Sequence, residues 1–451
     1  MTPVGLFFVL AASIAIWLLP RSWAPIALIA GVCYMTLGQG IEVAGLSFPI
    51  VRLLLLAGVI RVFIRGERPA GGLTGMDKLF LVWAAWAILA SAFHEDAAAM
   101  LEYRLGLAYN ALCTYFLMRC FCQDEHDLYR VVHATAWILV PVAAEMVFEQ
   151  LTRRNLFAIF GGVPELPEVR EGHLRSQGPF AHSILAGTVG AVCIPMLAGL
   201  WRRFPLSAKV GLSACGVMVL TSASSGPMAS TLAALFAMLL WRWRHLTRHM
   251  RIAAVLGYIL LDLVMKAPAY YLIARIDLAG GSTGWHRARL IESSIAHLHE
   301  WWWAGTDYTR HWMPTGVTWS PNHTDITNHY IKMGVLGGLP LMGLFIAILW
   351  VGFRYVGRTV RAIDPSDPQR GFFAWCIGAG LFAHAATCVA VSYFDQSVVF
   401  LYLTLAFANT LKLNQQRMLV AQMGGPTVLE PEGMSVKALA VGGALAGQDH
   451  R

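Results

Sequence analysis

The chain has 451 residues, of which 57% are hydrophobic and 13% are charged, and its formal net charge is +8. With a mean hydropathy of +0.56, this composition is typical of a polytopic membrane protein and excludes an ordinary soluble domain. The arginines lie mostly in short links between apolar runs. Membrane orientation therefore explains the positive charge better than nucleic-acid binding, and no nucleic acid is expected as a partner.

Apolar runs close to the roughly 20 residues that cross a bilayer recur along the chain. They predict an all-α protein with about 12–13 transmembrane helices. The first run has no basic residue before it and leads through Pro20 and Arg21 into the next, so we expect a retained helix and no cleavable signal peptide. The predicted spans lie at about 4–20, 23–40, 47–63, 77–93, 105–121, 130–148, 180–200, 208–223, 226–241, 252–267, 328–352, 371–392 and 395–412.

Four links between these runs are rich in arginine and lysine, and the helix count puts all four on one side of the membrane. Because cytoplasmic links carry an excess of basic residues, this side is predicted to be cytoplasmic and the N-terminus to lie outside. The basic residues of the four links are Arg61, Arg65, Arg68 and Lys78; Arg202, Arg203 and Lys209; Arg242, Arg244, Arg248 and Arg251; and Arg354, Arg358, Arg361 and Arg370.

This topology divides the chain into four parts. Residues 1–267 hold transmembrane helices and a shorter outer loop at about 149–179, and residues 268–327 form the large outer loop. Residues 328–412 hold the C-terminal transmembrane helices, and residues 413–451 are predicted to be a disordered cytoplasmic tail. The eight cysteines show no zinc-type pairing and are expected to be free thiols.

Arginine is frequent in the shorter outer loop, against the positive-inside bias. The loop contains Arg153, Arg154, Arg170 and Arg175, the last directly before SQGPFAHSILAG. A charge placed against the general rule is an indication of function. Any one of these arginines fits a solvated loop, but as a group they indicate anion binding.

The segment STGWHRARLIESSIAHLHEWWWAGT, residues 282–306, predicts an amphipathic helix on the outer surface, with Ser282 or Thr283 as its cap. Its apolar stripe consists of Leu290, Ile291, Ile295, Leu298, Trp301 and Trp302. Arg287 falls within this stripe and faces the membrane domain, whereas Arg289 lies in water. A guanidinium binds two phosphate oxygens through paired hydrogen bonds, so Arg287 indicates a lipid phosphate. A snorkelling arginine on a surface helix is the alternative.

A second polar cluster, SPNHTDITNHYIKMGVLGGLP, lies at the entry to the span that begins near Asn328. His323, Asp325 and His329 have side chains that remove a proton from a hydroxyl, and Asn328 has one that orients a polar substrate. The alternatives are structural. Asp325 would cap the following helix, and His329 would be a satisfied interfacial residue.

Four segments resemble the O-antigen ligase and O-antigen polymerase family of membrane proteins. RSQGPFAHSILAG is similar to the family's arginine, proline-phenylalanine and small-residue helix start, and TSASSGPMAS is similar to its serine-rich turn. STGWHRARLIESSIAHLHEWWWAGT is similar to its external arginine followed by a helix, and DITNHYIKMGVLGGL to its Asn-aromatic-aliphatic span start ending in Gly-x-x-Gly. The likeness covers about 175–345 well and the rest by topology only.

The resemblance implies a GT-C-like, metal-independent glycosyltransferase without a cofactor, with its active site on the periplasmic face of the bacterial inner membrane. Its partners would be glycan linked to undecaprenyl pyrophosphate, the lipid bilayer, a flippase and chain-length regulators. By position, Arg175 and Arg287 would hold the pyrophosphate and stabilise its charge as it leaves. Asn328 and Trp285 are the candidate glycan-binding residues.

The chain departs from the family pattern at the start of this span. The family commonly has a histidine directly before the asparagine, whereas this chain has Thr327 before Asn328 and His329 after it. His329 is the preferred group to deprotonate the acceptor hydroxyl, and Asp325 is the rival. His323, or no general base at all, stays open.

Two activities of the family differ only in their acceptor. A polymerase joins lipid-linked repeat units, and a ligase transfers the glycan to the lipid A core. We expect the polymerase, because the outer loops offer no evident second basic site for a phosphorylated core. A transporter or flippase of lipid-linked glycan is the alternative of another class, favoured if Glu145 and Asp262 are buried deep in the membrane. The sequence has no Walker loop, dinucleotide fingerprint or HExxH motif, which argues against an ATP-driven machine.

Overall fold

A computed structural model describes residues 1–43, 45–275, 278, 284–363 and 366–422 of the chain. It is 75% helical, which confirms the predicted all-α class. Two short antiparallel hairpins, β1–β2 and β3–β4, are the sheets among the described residues. They lie at Gly40–Val43 with Leu46–Pro49, and at Glu168–Arg170 with His173–Arg175.

The helices follow one another in the order that the apolar runs predict. The first nine, α1 to α9, are Pro3–Leu18, Ala24–Tyr34, Ile50–Arg65, Gly75–Leu89, Ala97–Phe121, Glu125–Thr152, Ser183–Ala198, Pro205–Thr221 and Ser225–Leu239. The next six, α10 to α15, are Thr247–Val264, Gly284–Ala296, Leu298–Trp301, His329–Ile363, Pro368–Ala390 and Val399–Gln422. Short 3-10 helices lie at Arg21–Trp23, Ala90–Phe93, Leu156–Phe160, Leu240–Leu246, Ala269–Arg275, Arg310–Trp312 and Gln396–Val398.

Among the described residues, five helical segments are long and apolar enough to cross a membrane, and a sixth is added if the bent pair Ser225–Val264 and Ala269–Arg275 counts as one span. The chain is therefore a multi-pass membrane protein by the length and composition of its helices. Fewer segments meet this criterion than the thirteen apolar runs. One reason is length, because α1, α7 and α8 are apolar but have only 16 or 17 residues.

Helix α7 lies at the centre of the bundle, packed against α8, α9 and α14. Every residue of α7 except Ile184 is buried, and small residues allow its neighbours to approach closely. A Cβ added at Gly190 would lie 2.8 Å from the Cys215 carbonyl oxygen of α8. This packing fixes the start of α7, which directly follows the predicted anion-binding loop.

The basic links lie together at one end of the bundle, which we call the basic end. Residues in or next to each link make contacts at this end, namely Arg370 with Glu125, Arg203 with His126, Arg61 with Leu19 and Trp241 with Phe372. The neighbouring residues Glu125 and His126 join two of the links. The two predicted outer loops lie at the opposite end, the loop end. The placement of the four links on one side is therefore confirmed.

The large outer loop is fixed to α13 at a break in that helix. Gly338 has a φ of 73°, and a Cβ there would lie 2.1 Å from the Trp303 carbonyl oxygen. The Leu339 N–H donates to the Trp302 carbonyl oxygen at 2.8 Å. Trp301 is buried. The backbone of the tryptophan triplet thus packs against the break in α13.

Two predictions about helix ends are wrong. The amphipathic helix was expected to continue through Trp302, but α11 ends at Ala296, and Ile295 of the expected apolar stripe is 59% exposed. The tail was expected from residue 413, but α15 continues to Gln422. The rest of the tail, 423–451, and the expected cap at Ser282 or Thr283 lie outside the described residues. All eight cysteines are free, as expected.

Candidate functional site

Arg175 is the last residue of the β3–β4 hairpin. Its strand pairs Arg175 directly with Glu168. The turn between the strands has positive φ at Glu171 and Gly172, 49° and 80°, as a two-residue hairpin turn of the type I′ class requires. The hairpin therefore places the carboxylate and the guanidinium side by side on one face.

The Arg175 side chain is held by two partners at the loop end. It is 3% exposed. Its Nη1 pairs with Glu168 Oε2 at 2.7 Å, and its Nη2 donates to Ser224 Oγ at 2.6 Å. Ser224 lies in the serine-rich turn between α8 and α9. The Arg175 Nε is enclosed by the protein and has no partner within the described ranges.

The backbone that follows Arg175 is fixed by two buried carboxylates. The N–H groups of Gln177 and Gly178 both donate to Glu149 Oε2 of α6 at 3.0 Å. The Ala181 N–H donates to Asp395 Oδ2, also at 3.0 Å. These bonds join the loop to α6 and to the turn before α15. Arg175 is therefore held on a rigid base before any ligand binds.

Arg287 enters the same end of the molecule from α11. It is 7% exposed, and its Nε donates to the Ala390 carbonyl oxygen at the end of α14, at 3.0 Å. Arg289 is exposed and pairs with Glu292. The predicted orientation of these two arginines is confirmed. Among the residues described, no protein acceptor bonds to the Nη atoms of Arg287, which leaves the paired donors of the guanidinium for a ligand.

Electrostatics shows that the arginines of the two loops share one region. Burial lowers the pKa of Arg287, and the charges of Arg170 and Arg175 lower it further, while Asp325 raises it. Burial likewise lowers the pKa of Arg175, whereas the carboxylate of Glu168 raises it. Arginine stays protonated in proteins. The three guanidinium groups therefore repel one another within one partly buried region that an anion would stabilise.

His182 lies beside this cluster, at the start of α7. Its Nδ1 accepts the Ile184 N–H at 3.1 Å, which caps the helix, and its Nε2 is 3.8 Å from Glu168 Oε2. Burial lowers the pKa of His182, and the positive charge of Arg175 lowers it further. The imidazole is therefore neutral at neutral pH and adds no fourth positive charge to the arginines.

The two predicted acid–base residues before α13 lie in different surroundings. Asp325 is exposed, its carbonyl oxygen is 3.1 Å from His286 Nε2 of α11, and its carboxylate acts on the pKa of Arg287. His323 is bonded through Nδ1 to Ser320 Oγ at 2.7 Å. Asp325 therefore joins the arginine cluster, while His323 is engaged within its own loop.

Asn328 and His329 are both occupied by the protein. Asn328 Oδ1 accepts the N–H groups of Tyr330 and Ile331 at 2.9 and 3.1 Å, so Asn328 caps α13. Asp325 is not that cap, contrary to one alternative. His329 is 2% exposed, and its Nδ1 accepts the Tyr393 N–H at 3.2 Å. This enclosed position does not favour contact between His329 and the hydroxyl of an acceptor sugar.

Trp285 of α11 is 55% exposed, two residues before Arg287. Its predicted role in binding glycan stays a prediction. Sequence reasoning missed Glu168 and Ser224 as partners of Arg175. A signal for the first was present, because the Glu171-Gly172 pair between two short alternating segments is typical of a hairpin turn. The partnership with Ser224, 49 residues along the chain, has no local signal.

The two acids that would have favoured transport are engaged at the loop end. Glu145 Oε1 accepts the Leu156 N–H at 3.1 Å, and Asp262 Oδ1 accepts the Ala269 N–H at 2.8 Å. Asp262 is also exposed. Both carboxylates thus hold loop backbone, which differs from the mid-membrane position typical of coupling residues in transporters.

No protein-family model matches the chain, and no curated protein matches it. The geometry of the site is therefore the basis on which its ligand is inferred. That geometry defines a multi-pass membrane protein with a cationic, partly buried site at the end opposite its basic links. Such a site suits a phosphate-bearing ligand that approaches along the membrane surface.

Proposed function

We propose that the chain is a membrane glycosyltransferase that polymerises oligosaccharide repeat units carried on undecaprenyl pyrophosphate. It acts at the periplasmic face of the bacterial inner membrane, needs no metal for the transfer, and has a GT-C-like arrangement of 12–13 spans. The single observation that carries the proposal is the pair of buried arginines, Arg175 and Arg287, which two separate outer loops supply and of which the first lowers the pKa of the second.

Two arginines suit a pyrophosphate because the leaving group gains charge as the sugar–phosphate bond breaks. Donors that are already in place stabilise this charge without further reorganisation. Arg287 offers its paired Nη donors, and Arg175 adds the positive charge of a guanidinium held by Glu168 and Ser224. A guanidinium also remains charged at a membrane boundary, where a lysine is more easily neutralised.

The transfer itself requires one bond to form and one to break. The acceptor hydroxyl oxygen of one repeat unit attacks the anomeric carbon of the other, and the bond between that carbon and the pyrophosphate oxygen breaks. The electron pair goes to the pyrophosphate, and the hydroxyl proton goes to a base. Asp325 is the base that the geometry supports best, because it is exposed and acts on Arg287, whereas His329 is enclosed.

The acceptor distinguishes the polymerase from a ligase that transfers the glycan to the lipid A core. Both use the same lipid pyrophosphate and the same arginines. We favour the polymerase because the outer loops offer no evident second basic site for a phosphorylated core. A flippase of lipid-linked glycan is the alternative of another class. Glu145 and Asp262 are both bonded to loop backbone, which favours the flippase less than the polymerase.

The test is glycan transfer in proteoliposomes that contain purified protein and lipid-pyrophosphate-linked repeat units, with EDTA and no nucleotide. Wild type is expected to form a ladder of lipid-linked oligomers. Arg287→Ala is expected to slow it about 10²–10³-fold, the usual effect of removing a donor that stabilises developing charge. Arg289→Ala is the matched control, because this arginine has the same charge on the same helix but faces water.

Each outcome separates the candidates. Transfer only after lipid A core is added would identify the ligase. Movement of substrate across the bilayer without transfer would identify the flippase. Equal loss in Arg287→Ala and Arg289→Ala would show that the orientation of α11 has no bearing on the reaction, and the proposed role of Arg287 would fail.

A further inference from the structure

Three metal-ligating side chains meet in the large outer loop, outside the arginine cluster. They are His297, directly after α11, Glu300 of α12, and His311 of the 3-10 helix Arg310–Trp312. One ligand atom from each lies within 4.8 Å of the others. The ring centroids of the two histidines are 4.9 Å apart. Two separate stretches of the loop therefore bring two imidazoles and one carboxylate to a single point.

The side chains are oriented as metal ligands are in proteins. His297 Nδ1 donates to the Ser293 carbonyl oxygen at 2.9 Å, which leaves its Nε2 lone pair free of a proton. Trp312 Nε1 donates to Glu300 Oε2 at 3.0 Å, which fixes the carboxylate. Such outer partners, which set the tautomer of a histidine and the direction of a carboxylate, are typical of metal centres.

We propose that His297, Glu300 and His311 bind one divalent transition-metal ion of the zinc class. Two imidazoles and a carboxylate are a known zinc ligand set, which leaves the fourth position to water. Zinc–ligand bonds of about 2.0–2.2 Å put tetrahedral ligand atoms about 3.3 Å apart. His311 Nε2 donates a hydrogen bond to the Glu300 carboxylate at 3.0 Å, so the ion would replace this proton, and side-chain rotations would complete the site. Hard ions such as Mg²⁺ prefer oxygen ligands and are not expected to compete.

The ion would stabilise the large loop and take no part in glycan transfer. Arg287 and His297 are ten residues apart along the chain, about 15 Å along a helix. The metal would join the end of α11, which carries Arg287, to the segment at Arg310–Trp312. The proposal goes beyond the glycosyltransferase and does not depend on it.

The test is Zn²⁺ binding by the full chain in detergent, purified without a histidine tag and measured by competition with a chromophoric chelator. Wild type is expected to bind one Zn²⁺ per chain, and Zn²⁺ but not Mg²⁺ is expected to raise its thermal midpoint. Glu300→Gln and His311→Ala are each expected to raise the Kd at least about tenfold and to abolish the thermal shift. His299→Ala is the control, because the His299 side chain is adjacent and 77% exposed, with its Nε2 4.0 Å from Glu300 Oε1, yet it is not one of the three clustered ligands.

Loss of Zn²⁺ binding must be distinguished from misfolding of the variants. His311 is itself exposed, so His311→Ala is expected to fold with the thermal midpoint of zinc-free wild type. Absence of stoichiometric binding in wild type would overturn the proposal. Equal weakening in His299→Ala would overturn it too, because it would show unspecific binding to surface histidines. Ladder formation in EDTA tests the transferase separately, so that either proposal can fail alone.

Discussion

Glu168→Gln is expected to tighten the binding of lipid pyrophosphate. Glu168 Oε2 lies 2.7 Å from Arg175 Nη1 and 3.8 Å from His182 Nε2, where an anionic ligand of Arg175 would also lie. A pyrophosphate must therefore displace this carboxylate or bind next to it despite the repulsion between their negative charges. Glutamine has nearly the same shape but no charge, so the substitution removes a competitor and keeps the hairpin pair.

The expected change in the Kd follows from the solvent exposure of the Glu168–Arg175 ion pair. The Glu168 side chain is 50% exposed, although that of Arg175 is 4% exposed. Ion pairs with an exposed partner contribute about 0.2–1 kcal/mol, so the Kd of undecaprenyl pyrophosphate is expected to fall up to about fivefold. The assay is inhibition of ladder formation by added undecaprenyl pyrophosphate, which gives its Ki. The turnover number is expected to change less than the Ki.

Glu165→Gln is the control for the general change of charge. Glu165 is exposed in the same loop, and the two variants have the same net charge. If Glu168→Gln weakens binding while Glu165→Gln has no effect, the carboxylate orients Arg175 and does not compete with the ligand. Equal effects of the two variants would show that only the total charge of the loop matters. Either result would refute the competition argument.

Two further predictions concern the bundle and its orientation. Gly190→Ala is expected to destabilise the chain by about 1–3 kcal/mol, because the new methyl group meets the Cys215 carbonyl oxygen. A lower thermal midpoint in detergent would show this, with Gly216→Ala as the neutral control, since a Cβ there meets open space. Cysteines placed at Trp302 and Ser366 test the orientation. A membrane-impermeant maleimide is expected to label the first in intact spheroplasts and the second only after permeabilisation, and the reverse result would invert the topology.

Local periodicity predicted the facing of α11 well. The stripe calculation places Arg287 inward and Arg289 outward because both lie within one regular helix, whose geometry depends on neighbouring residues only. The same calculation fails at Ile295, one residue before the helix ends. Beyond that end the chain packs against the break in α13, where Gly338 meets the Trp303 carbonyl, and no local pattern reports such contacts.

The partners of the site residues were not predictable from the sequence in the same way. Arg287 donates to the carbonyl oxygen of Ala390, 103 residues away. The enclosure of His329 also depends on a distant residue, because Tyr393, 64 residues along the chain, donates its N–H to the imidazole. The length of α15 was predictable, because no glycine or proline follows residue 412 before Gly424.

The repulsion among the arginines is the strongest physical argument for a phosphate ligand. Placing like charges together in a partly buried region lowers the stability of the folded chain, as the effect of Arg170 and Arg175 on the pKa of Arg287 indicates. Structural arginines are usually neutralised by partners, as Arg119 is by Asp77 at the basic end, at 3.2 Å. The acids that act on Arg175 and Arg287 are Glu168 and Asp325, which are exposed, whereas the buried Glu149 and Asp395 are bonded to backbone N–H groups. A dianion between the guanidinium groups would offset this repulsion, which supports the proposed pyrophosphate ligand.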